Sequence, residues 1–267
     1  MKAAQINSLS VHYEDQGPRA SRALVFSNSL GTDLRVWDLV VERLPESLRI
    51  IRYDTRGHGL TQSLPPPYFM GDLVADAGAL IDHLGVEEVC FVGLSIGGLI
   101  GQGLAAERPD KIKALVLADT ACKIGTTALW EERIADFTQK GLEEMSQGVM
   151  DRWFSKAFQT GEPALLSVCR SMLTGTSLNG YLGCCHAIAH TDLYESTAAL
   201  DLPTLVVVGR DDKATPPDLV RETADLIKGA QFQMIPKAGH IPCVEQPDLF
   251  AGHLIAFLAG IGWIEGA

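Results

Sequence analysis

The sequence has no long hydrophobic run, no excess of positive charge and no cysteine spacing typical of metal sites. No window reaches the roughly 18 uninterrupted apolar residues that a membrane-spanning helix requires. The 22 Lys and Arg residues are outnumbered by 33 Asp and Glu residues, which gives a formal net charge of -11. Because binding to nucleic acid requires a basic surface, we expect neither nucleic acid nor a membrane as a partner.

The cysteines and the first residues of the chain bear on the cellular compartment. The six cysteines show no paired C-x-x-C motif. The adjacent Cys184 and Cys185 are expected to be two packed thiols in a helix rather than a redox pair. The first residues lack the apolar segment of a signal peptide. We therefore expect reduced thiols and a cytoplasmic protein.

The pattern of apolar residues predicts an α/β fold. With 267 residues, of which 46% are hydrophobic, the chain can form one large α/β domain with an inserted subdomain. Apolar runs at 88–92, 114–117 and 204–208 do not alternate with polar residues, as expected of parallel strands buried on both faces. Segments with helical spacing separate them. We predict a mostly parallel sheet flanked by helices, built from residues 1–120 and 200–267.

The middle of the chain has a different pattern. Residues 121–199 contain no convincing strand and several helical segments. This region is predicted to form a helical cap over one end of the sheet.

Residues 93–97 read Gly-Leu-Ser-Ile-Gly and lie between a predicted strand and a predicted helix. A G-x-S-x-G sequence in this position is typical of the nucleophile elbow, a tight turn that exposes a serine hydroxyl at the edge of a sheet. Ser95 is therefore the candidate nucleophile. The alternative is an ordinary glycine-rich turn in which Ser95 caps the helix.

A serine hydroxyl becomes nucleophilic only when a base accepts its proton, so a histidine must lie nearby. Among the seven histidines, His240 follows the last predicted strand, in a loop that reaches the same edge of the sheet. His58, in an Arg-Gly-His-Gly turn, is the second candidate, although a structural role is favoured there. His186 and His190 lie in the cap and are further candidates for lining a pocket.

The histidine requires an acid that orients it and stabilises its protonated form. The loop after strand 204–208 contains Asp211 and Asp212, and spacing favours Asp212. Asp119, which follows strand 114–117, is a more distant alternative. The chain order Ser, Asp, His is the one expected of a nucleophile elbow on this architecture.

The tetrahedral intermediate requires two backbone N–H donors, which form the oxyanion hole. One should belong to Ile96, directly after the nucleophile, and the other to the loop at residues 27–33. Leu30 is the predicted donor in that loop, because the neighbouring Gly31 permits close approach of the backbone.

Four segments together resemble the α/β-hydrolase superfamily and, within it, the 3-oxoadipate enol-lactonases. Residues 27–33 read Ser-Asn-Ser-Leu-Gly-Thr-Asp, residues 52–59 read Arg-Tyr-Asp-Thr-Arg-Gly-His-Gly, and the elbow and the Arg-Trp-Phe at 152–154 complete the likeness. The resemblance implies that an acyl-enzyme on Ser95 converts 3-oxoadipate enol-lactone, a small anionic lactone, into 3-oxoadipate without metal or organic cofactor. Two departures are that Ile96 stands where the family usually has Met, and that the loop after Gly209 differs by one residue.

A carboxylated substrate requires a cation, and arginine pairs with carboxylates through two parallel hydrogen bonds. Trp130 and Arg133 are three residues apart on a predicted helix and should share one face. They and Trp153 are the predicted substrate-binding residues, with Arg152 next in sequence. The alternative is an amphipathic surface helix in which Arg133 pairs with an acidic neighbour.

The fold alone does not exclude other functions. A carboxylesterase, a perhydrolase or a carbon–carbon bond hydrolase would use the same three residues. A ligand receptor derived from a hydrolase is a less favoured alternative. The oligomeric state is left open between a monomer and a small homo-oligomer.

Overall fold

A computed structural model describes residues 1–20 and 22–265. Its centre is one sheet of eight strands. The strands are β1 (Lys2–Ile6), β2 (Leu9–Gln16), β3 (Arg22–Ser27), β4 (Ile50–Tyr53), β5 (Glu88–Leu94), β6 (Ile112–Ala118), β7 (Thr204–Gly209) and β8 (Gln231–Ile235).

The strands are arranged in the order β1-β2-β4-β3-β5-β6-β7-β8. The first two pairings, β1 with β2 and β2 with β4, are antiparallel, and all the others are parallel. The predicted α/β class and the mostly parallel sheet are confirmed. The antiparallel strand β1 was absent from the sequence prediction.

Eleven α-helices occur in the described residues. They are α1 (Asp38–Val41), α2 (Met70–His83), α3 (Ile96–Glu107), α4 (Thr127–Trp153), α5 (Lys156–Gly161), α6 (Pro163–Gly175), α7 (Leu178–Ala189), α8 (Tyr194–Ala198), α9 (Pro217–Leu226), α10 (Pro242–Glu245) and α11 (Pro247–Gly260). Helix α4 is interrupted at Gly141, whose backbone is not helical. None of the helices in the described ranges combines the length and apolar character needed to cross a membrane.

The region between β6 and β7 is helical and contains α4 to α8, where the sequence predicts a cap. Cys184 and Cys185 are buried free thiols in α7, as expected. The exact bounds of the cap, at residues 121 and 199, stay a prediction.

The core fixes the sheet against the flanking helices. Strands β5 and β6 are buried along almost their whole length, because helices cover both faces. Trp37 is fully buried, with its ring centroid 5.0 Å from that of Phe26 and 5.7 Å from that of Phe250. Burial of three large rings stabilises this side of the sheet strongly.

The parallel register determines where the loops emerge. Ser27, at the end of β3, is paired with Gly93 near the end of β5. The carboxyl ends of β3, β5, β6, β7 and β8 therefore lie along one edge of the sheet, beneath the cap. This is the edge at which open α/β sheets bind ligands.

Candidate active site

The turn after β5 holds Ser95 in a conformation that side chains rarely adopt. Its φ is 57° and its ψ is -116°, immediately before the first residue of α3. The backbone overcomes this strain with fixed contacts: the Ser95 N–H donates to the Ala118 carbonyl at 2.9 Å, and the Thr120 hydroxyl donates to the Ser95 carbonyl at 2.7 Å. A Cβ at Gly97 would collide with the carbonyl of Ser27. The local geometry is that of a nucleophile elbow.

His240 and Asp212 lie together at the ends of β8 and β7. The Nδ1 of His240 is 2.9 Å from Oδ2 of Asp212, and both residues are buried. A carboxylate acceptor at this distance places the proton on Nδ1 and leaves Nε2 as the acceptor. The main-chain N–H of His240 donates to the Trp153 carbonyl at 2.7 Å, which fixes the loop under the cap.

Asp212 accepts hydrogen bonds at both carboxylate oxygens. Oδ1 accepts from the N–H groups of Ala214 and Thr215, at 2.7 and 3.1 Å, and Oδ2 accepts from the Thr215 hydroxyl at 2.7 Å. Burial by itself would raise the pKa of Asp212. The electrostatic interaction and hydrogen bond with His240, together with these hydrogen bonds, outweigh burial, so the pKa of Asp212 lies below its ordinary value. Asp212 is therefore ionised at neutral pH.

Asp119, the more distant alternative acid, lies beside this pair. One carboxylate oxygen of Asp119, one of Asp212 and one ring nitrogen of His240 all lie within 4.8 Å of one another. Oδ1 of Asp119 accepts from the Gly209 N–H at 2.8 Å, while Oδ2 has no partner among the described residues. Burial raises the pKa of Asp119 well above its ordinary value, and the charge of Asp212 raises it further. The pKa values of the two neighbouring carboxyl groups are therefore shifted in opposite directions.

The two predicted oxyanion donors both have a free N–H. Within residues 1–20 and 22–265, neither Leu30 nor Ile96 donates its backbone N–H to another group. Ile96 is the first residue of α3, where an N–H has no partner inside the helix. Two free N–H donors beside the Ser95 hydroxyl are the arrangement that an oxyanion hole requires.

Ser95 and His240 line the same cavity, which has a volume of about 280 Å³. This size suits a small organic molecule rather than a polymer. The lining residues come from the strand ends and from the cap: Ser29, Leu30, Ser95, Ile124, Gly125, Leu129, Trp130, Arg133, Arg152, Trp153, Ile188, Lys213, Ala214, Thr215 and His240.

All three predicted cap residues line this cavity. Trp130 donates from its indole N–H to the Ile124 carbonyl at 2.6 Å, which fixes its ring. The guanidinium carbon of Arg133 lies 5.5 Å from the Trp130 ring, as their spacing predicts. Arg133 pairs with no acidic residue in the described chain; its Nη2 and Nε donate to the Tyr181 hydroxyl at 2.5 and 3.2 Å. The surface-helix alternative, in which Arg133 has an acidic partner, does not describe this arrangement.

The charge of the cavity is opposite to that of the whole chain. Arg133, Arg152 and Lys213 contribute three cations to its lining, and none of the lining residues named above is acidic. The full chain carries a net charge of -11. The sequence prediction named Arg152 as a neighbour of Trp153 but did not include Lys213. No spacing signal marked Lys213, which lines the cavity from the loop after β7 and donates from Nζ to the Asp151 carbonyl at 3.2 Å.

Glu245 was also missed by sequence reasoning. It is the last residue of α10, and its two carboxylate oxygens accept from the N–H of Gly239 at 2.6 Å and of Ser155 at 3.0 Å. Burial raises the pKa of Glu245 despite these hydrogen bonds. The contacts fasten the loop of His240 to the chain that follows α4. A carboxylate at this point carries no motif, since its partners are backbone groups from distant segments.

Other candidates lie away from the cavity. Asp211 is exposed, whereas Asp212 is buried. His186 and His190 contact each other with ring centroids 4.4 Å apart, and neither lines the cavity that contains Ser95. His58 is buried behind the loop at 27–33 and does not line the cavity either.

Comparisons with known proteins agree with this geometry. A family model described as alpha/beta hydrolase fold matches residues 22–247. The chain is 34% identical to 3-oxoadipate enol-lactonase 2 of Acinetobacter baylyi, over 91% of this chain and 90% of that protein. It is 32% identical to 3-oxoadipate enol-lactonase 1 of the same species, over 92% and 91%. The crystal structure of the enol-lactonase from Burkholderia xenovorans LB400 superimposes with a TM-score of 0.93 and 35% identity, covering 97% of this chain and all of that chain.

Proposed function

We propose that this chain, which belongs to the α/β-hydrolase fold family, is a serine hydrolase that opens the enol-lactone ring of a small carboxylated lactone. The product would be 3-oxoadipate. The observation that carries the proposal is a single cavity in which Ser95 and His240 face a lining with three cations and no acidic residue. The similarity to enol-lactonases over nine-tenths of the chain supports the substrate class.

In the proposed first half-reaction, the Ser95 hydroxyl attacks the lactone carbonyl. Nε2 of His240 accepts the hydroxyl proton, and the ionised Asp212 stabilises the resulting imidazolium. The carbonyl oxygen becomes an oxyanion, which accepts hydrogen bonds from the N–H groups of Leu30 and Ile96. Collapse of the intermediate breaks the bond to the ring oxygen, and His240 returns the proton to that oxygen.

The leaving group in this step is an enol. It remains attached to the acyl chain, and its tautomerisation to a ketone removes the nucleophile that could close the ring again. Water then attacks the acyl-enzyme, with Nε2 of His240 accepting its proton. The second collapse releases Ser95 and a carboxylic acid, so that one water molecule is consumed for each lactone opened.

The cationic lining explains how an acidic protein would bind an anion. A global charge of -11 repels anionic ligands. The positive groups of Arg133, Arg152 and Lys213 reverse that field inside the cavity. Arg133 lies against aromatic rings and donates Nε and Nη2 to Tyr181, and within the described residues it has no acidic partner. We therefore assign the carboxylate arm of the substrate to the cap side of the cavity.

The proposal is tested with three substrates and the purified full-length protein. The substrates are 3-oxoadipate enol-lactone, its methyl ester and p-nitrophenyl acetate, with loss of enol absorbance or release of nitrophenolate as the readout. We expect kcat/KM for the carboxylated lactone to exceed that for its methyl ester roughly 10- to 100-fold, because hydrogen bonds to charged groups contribute about 1.5–3 kcal/mol. Equal values for the two lactones would contradict the proposed substrate class and favour a general carboxylesterase.

A Ser95→Ala variant separates chemistry from binding in the same assay. Loss of the nucleophile should lower kcat by at least about 10⁴-fold on every substrate. Acid quenching of the wild-type protein during turnover, followed by peptide mass spectrometry, should find the acyl group on the peptide that contains Ser95. Full activity of Ser95→Ala, or an acyl group on another residue, would contradict the serine mechanism itself.

A further inference from the structure

The Arg-Gly-His-Gly turn at residues 56–59 contains a histidine that the proposed mechanism does not use. Its histidine, His58, is only 1% exposed and lies outside the cavity. The turn follows β4, which is hydrogen-bonded to β3. It therefore lies beside the loop at residues 27–33, which carries the proposed oxyanion donor of Leu30.

His58 is hydrogen-bonded to that loop through one ring nitrogen. Its Nε2 is 2.9 Å from the backbone nitrogen of Gly31, and a backbone N–H can only donate. Nε2 must therefore be the unprotonated acceptor. Its Nδ1 is 3.2 Å from the carbonyl of Arg56 and carries the proton. The two contacts together define one neutral tautomer of the imidazole.

The contact with Gly31 bears directly on Leu30. The N–H of Leu30 belongs to the peptide unit between Ser29 and Leu30, and the N–H of Gly31 belongs to the next unit. Thr32 donates to the Ser29 carbonyl from its N–H at 3.1 Å and from its hydroxyl at 2.9 Å. The peptide unit that carries the free N–H is thus held at its carbonyl by Thr32, and the unit after it is held by His58.

The conformation of Gly31 makes such a restraint necessary. Its φ is 80°, a region that glycine enters freely and from which it can equally leave. Rotation about Gly31 and Leu30 would change the direction of the free N–H without breaking any regular secondary structure. A misplaced donor loses most of its effect, since an oxyanion hole depends on preorganised geometry.

We propose that His58 is a positioning residue of the oxyanion hole, whose neutral imidazole accepts the Gly31 N–H and so directs the Leu30 N–H toward the substrate oxygen. The inference rests on the proposed serine mechanism but not on the lactone as substrate. It assigns the buried turn a role in the rate of the reaction rather than in the binding of substrate.

The surroundings of His58 favour the required neutral form. Burial lowers the pKa of His58, although the hydrogen bond to the Arg56 carbonyl and the charges of Asp54 and Asp33 act in the opposite direction. A protonated ring would present a second N–H to the N–H of Gly31 and would break the contact.

The experiment compares His58→Leu with His58→Gln, and uses p-nitrophenyl acetate so that it does not depend on lactone specificity. Leucine has a similar volume but no acceptor, whereas the amide oxygen of glutamine can accept from Gly31. We expect His58→Leu to lower kcat about 10- to 100-fold, below the cost of deleting an oxyanion donor outright, with KM changed less than about threefold. His58→Gln should recover most of the lost kcat. The matched control is His253→Leu on α11, outside this network, which should keep the wild-type kcat.

A second readout distinguishes a positioning role from a structural one. The affinity of a boronic acid, which forms a tetrahedral adduct with the serine, should fall in proportion to kcat in His58→Leu. The affinity of acetamide, a neutral planar ligand that forms no tetrahedral adduct, should fall much less. An unchanged kcat in folded His58→Leu, or equal losses in the leucine and glutamine variants, would overturn the inference.

Two further outcomes are informative. If His58→Leu does not fold, His58→Asn replaces it. The asparagine amide can still donate to the Arg56 carbonyl, which supports folding, but it cannot reach Gly31, so the same loss of kcat is expected. Absence of ester turnover in the wild-type protein would instead overturn the proposed function, and the two failures are therefore distinguishable.

Discussion

The cavity has two halves that are built by different means. The floor consists of Leu30, Ser95 and His240 at the strand ends, with Ile96 and Asp212 directly behind them, and the roof consists of the cap residues Trp130, Arg133, Arg152 and Trp153. Backbone hydrogen bonds hold the floor: the Ser95 N–H donates to the Ala118 carbonyl, and the N–H of Asp211, next to Asp212, donates to the Ala238 carbonyl. Side-chain packing holds the roof, as where Arg133 donates to Tyr181.

This difference separates reaction from recognition. The floor is rigid because parallel strands fix their carboxyl ends relative to one another. In the proposed mechanism, its geometry serves any ester whose carbonyl reaches Ser95. The roof carries aromatic rings and cations, which respond to the shape and charge of the substrate. Changes in the floor should therefore alter kcat for all substrates, and changes in the roof should alter KM for some. Three predictions address this contrast.

The largest effect is expected in the floor, from Asp212→Asn. The neutral amide cannot stabilise a protonated His240. If its N–H₂ group donates to Nδ1 of His240, it also favours the imidazole tautomer whose proton is on Nε2, which cannot accept the serine proton. We therefore expect kcat to fall about 10⁴-fold on neutral and carboxylated substrates alike. Steady-state kinetics with both lactones measures the fall. The matched control is Asp211→Asn, at the exposed neighbouring position, which should stay within about twofold of wild type. Similar losses in the two variants would contradict the assignment of Asp212.

A smaller and more selective effect is expected in the roof, from Arg133→Ala. KM for the carboxylated lactone should rise roughly 10- to 100-fold, because a charge-assisted hydrogen bond is lost. KM for its methyl ester should change less than about threefold. The control is Arg170→Ala, which removes a cap arginine that pairs with Glu143 outside the cavity. An equal rise for both lactones would remove the distinction between roof and floor.

The smallest effect concerns stability and comes from Asp119→Asn. Burial raises the pKa of Asp119 in the folded protein above its pKa in the unfolded chain. When the pH exceeds the pKa of the unfolded chain, the unfolded chain releases this proton more readily than the folded protein does. The free energy of unfolding therefore falls as pH rises. Asparagine does not titrate and can still accept from Gly209. The Tm of the variant should therefore exceed that of wild type, and this difference in Tm should grow from pH 5 to pH 8. Each kcal/mol of difference in the free energy of unfolding corresponds to about 2–4 °C. A difference in Tm that shrinks as pH rises would contradict a raised pKa of Asp119.

Parts of the fold and the site were predictable because they depend on neighbours in sequence. The apolar runs predict the buried strands, and glycines around Ser95 predict a tight turn. The resemblance to enol-lactonases, predicted from four short segments, is confirmed by similarity over most of the chain. Strand β1 was missed, since its five residues include polar side chains at an edge.

Other parts depend on contacts between distant segments. Asp211 and Asp212 are adjacent in sequence, and only the packing of the loop shows which of them meets His240, 28 residues further along. Lys213 and Glu245 belong to no recognisable motif. Lys213 lines the cavity, and Glu245 accepts hydrogen bonds from two backbone N–H groups of distant segments. The side-chain roles assigned to the triad, the oxyanion hole and the cap remain predictions that the experiments above test.

The amino-acid sequence by itself determined the α/β class and the tight turn at Ser95, and it predicts the chain order of the proposed serine, acid and histidine. Each of these follows from local sterics and from the spacing of apolar residues. Only the tertiary structure decided which acid faces His240, which cations converge on the cavity and what His58 touches. The physical reason is that these contacts join segments of different strands and helices, and no local pattern specifies where such segments meet.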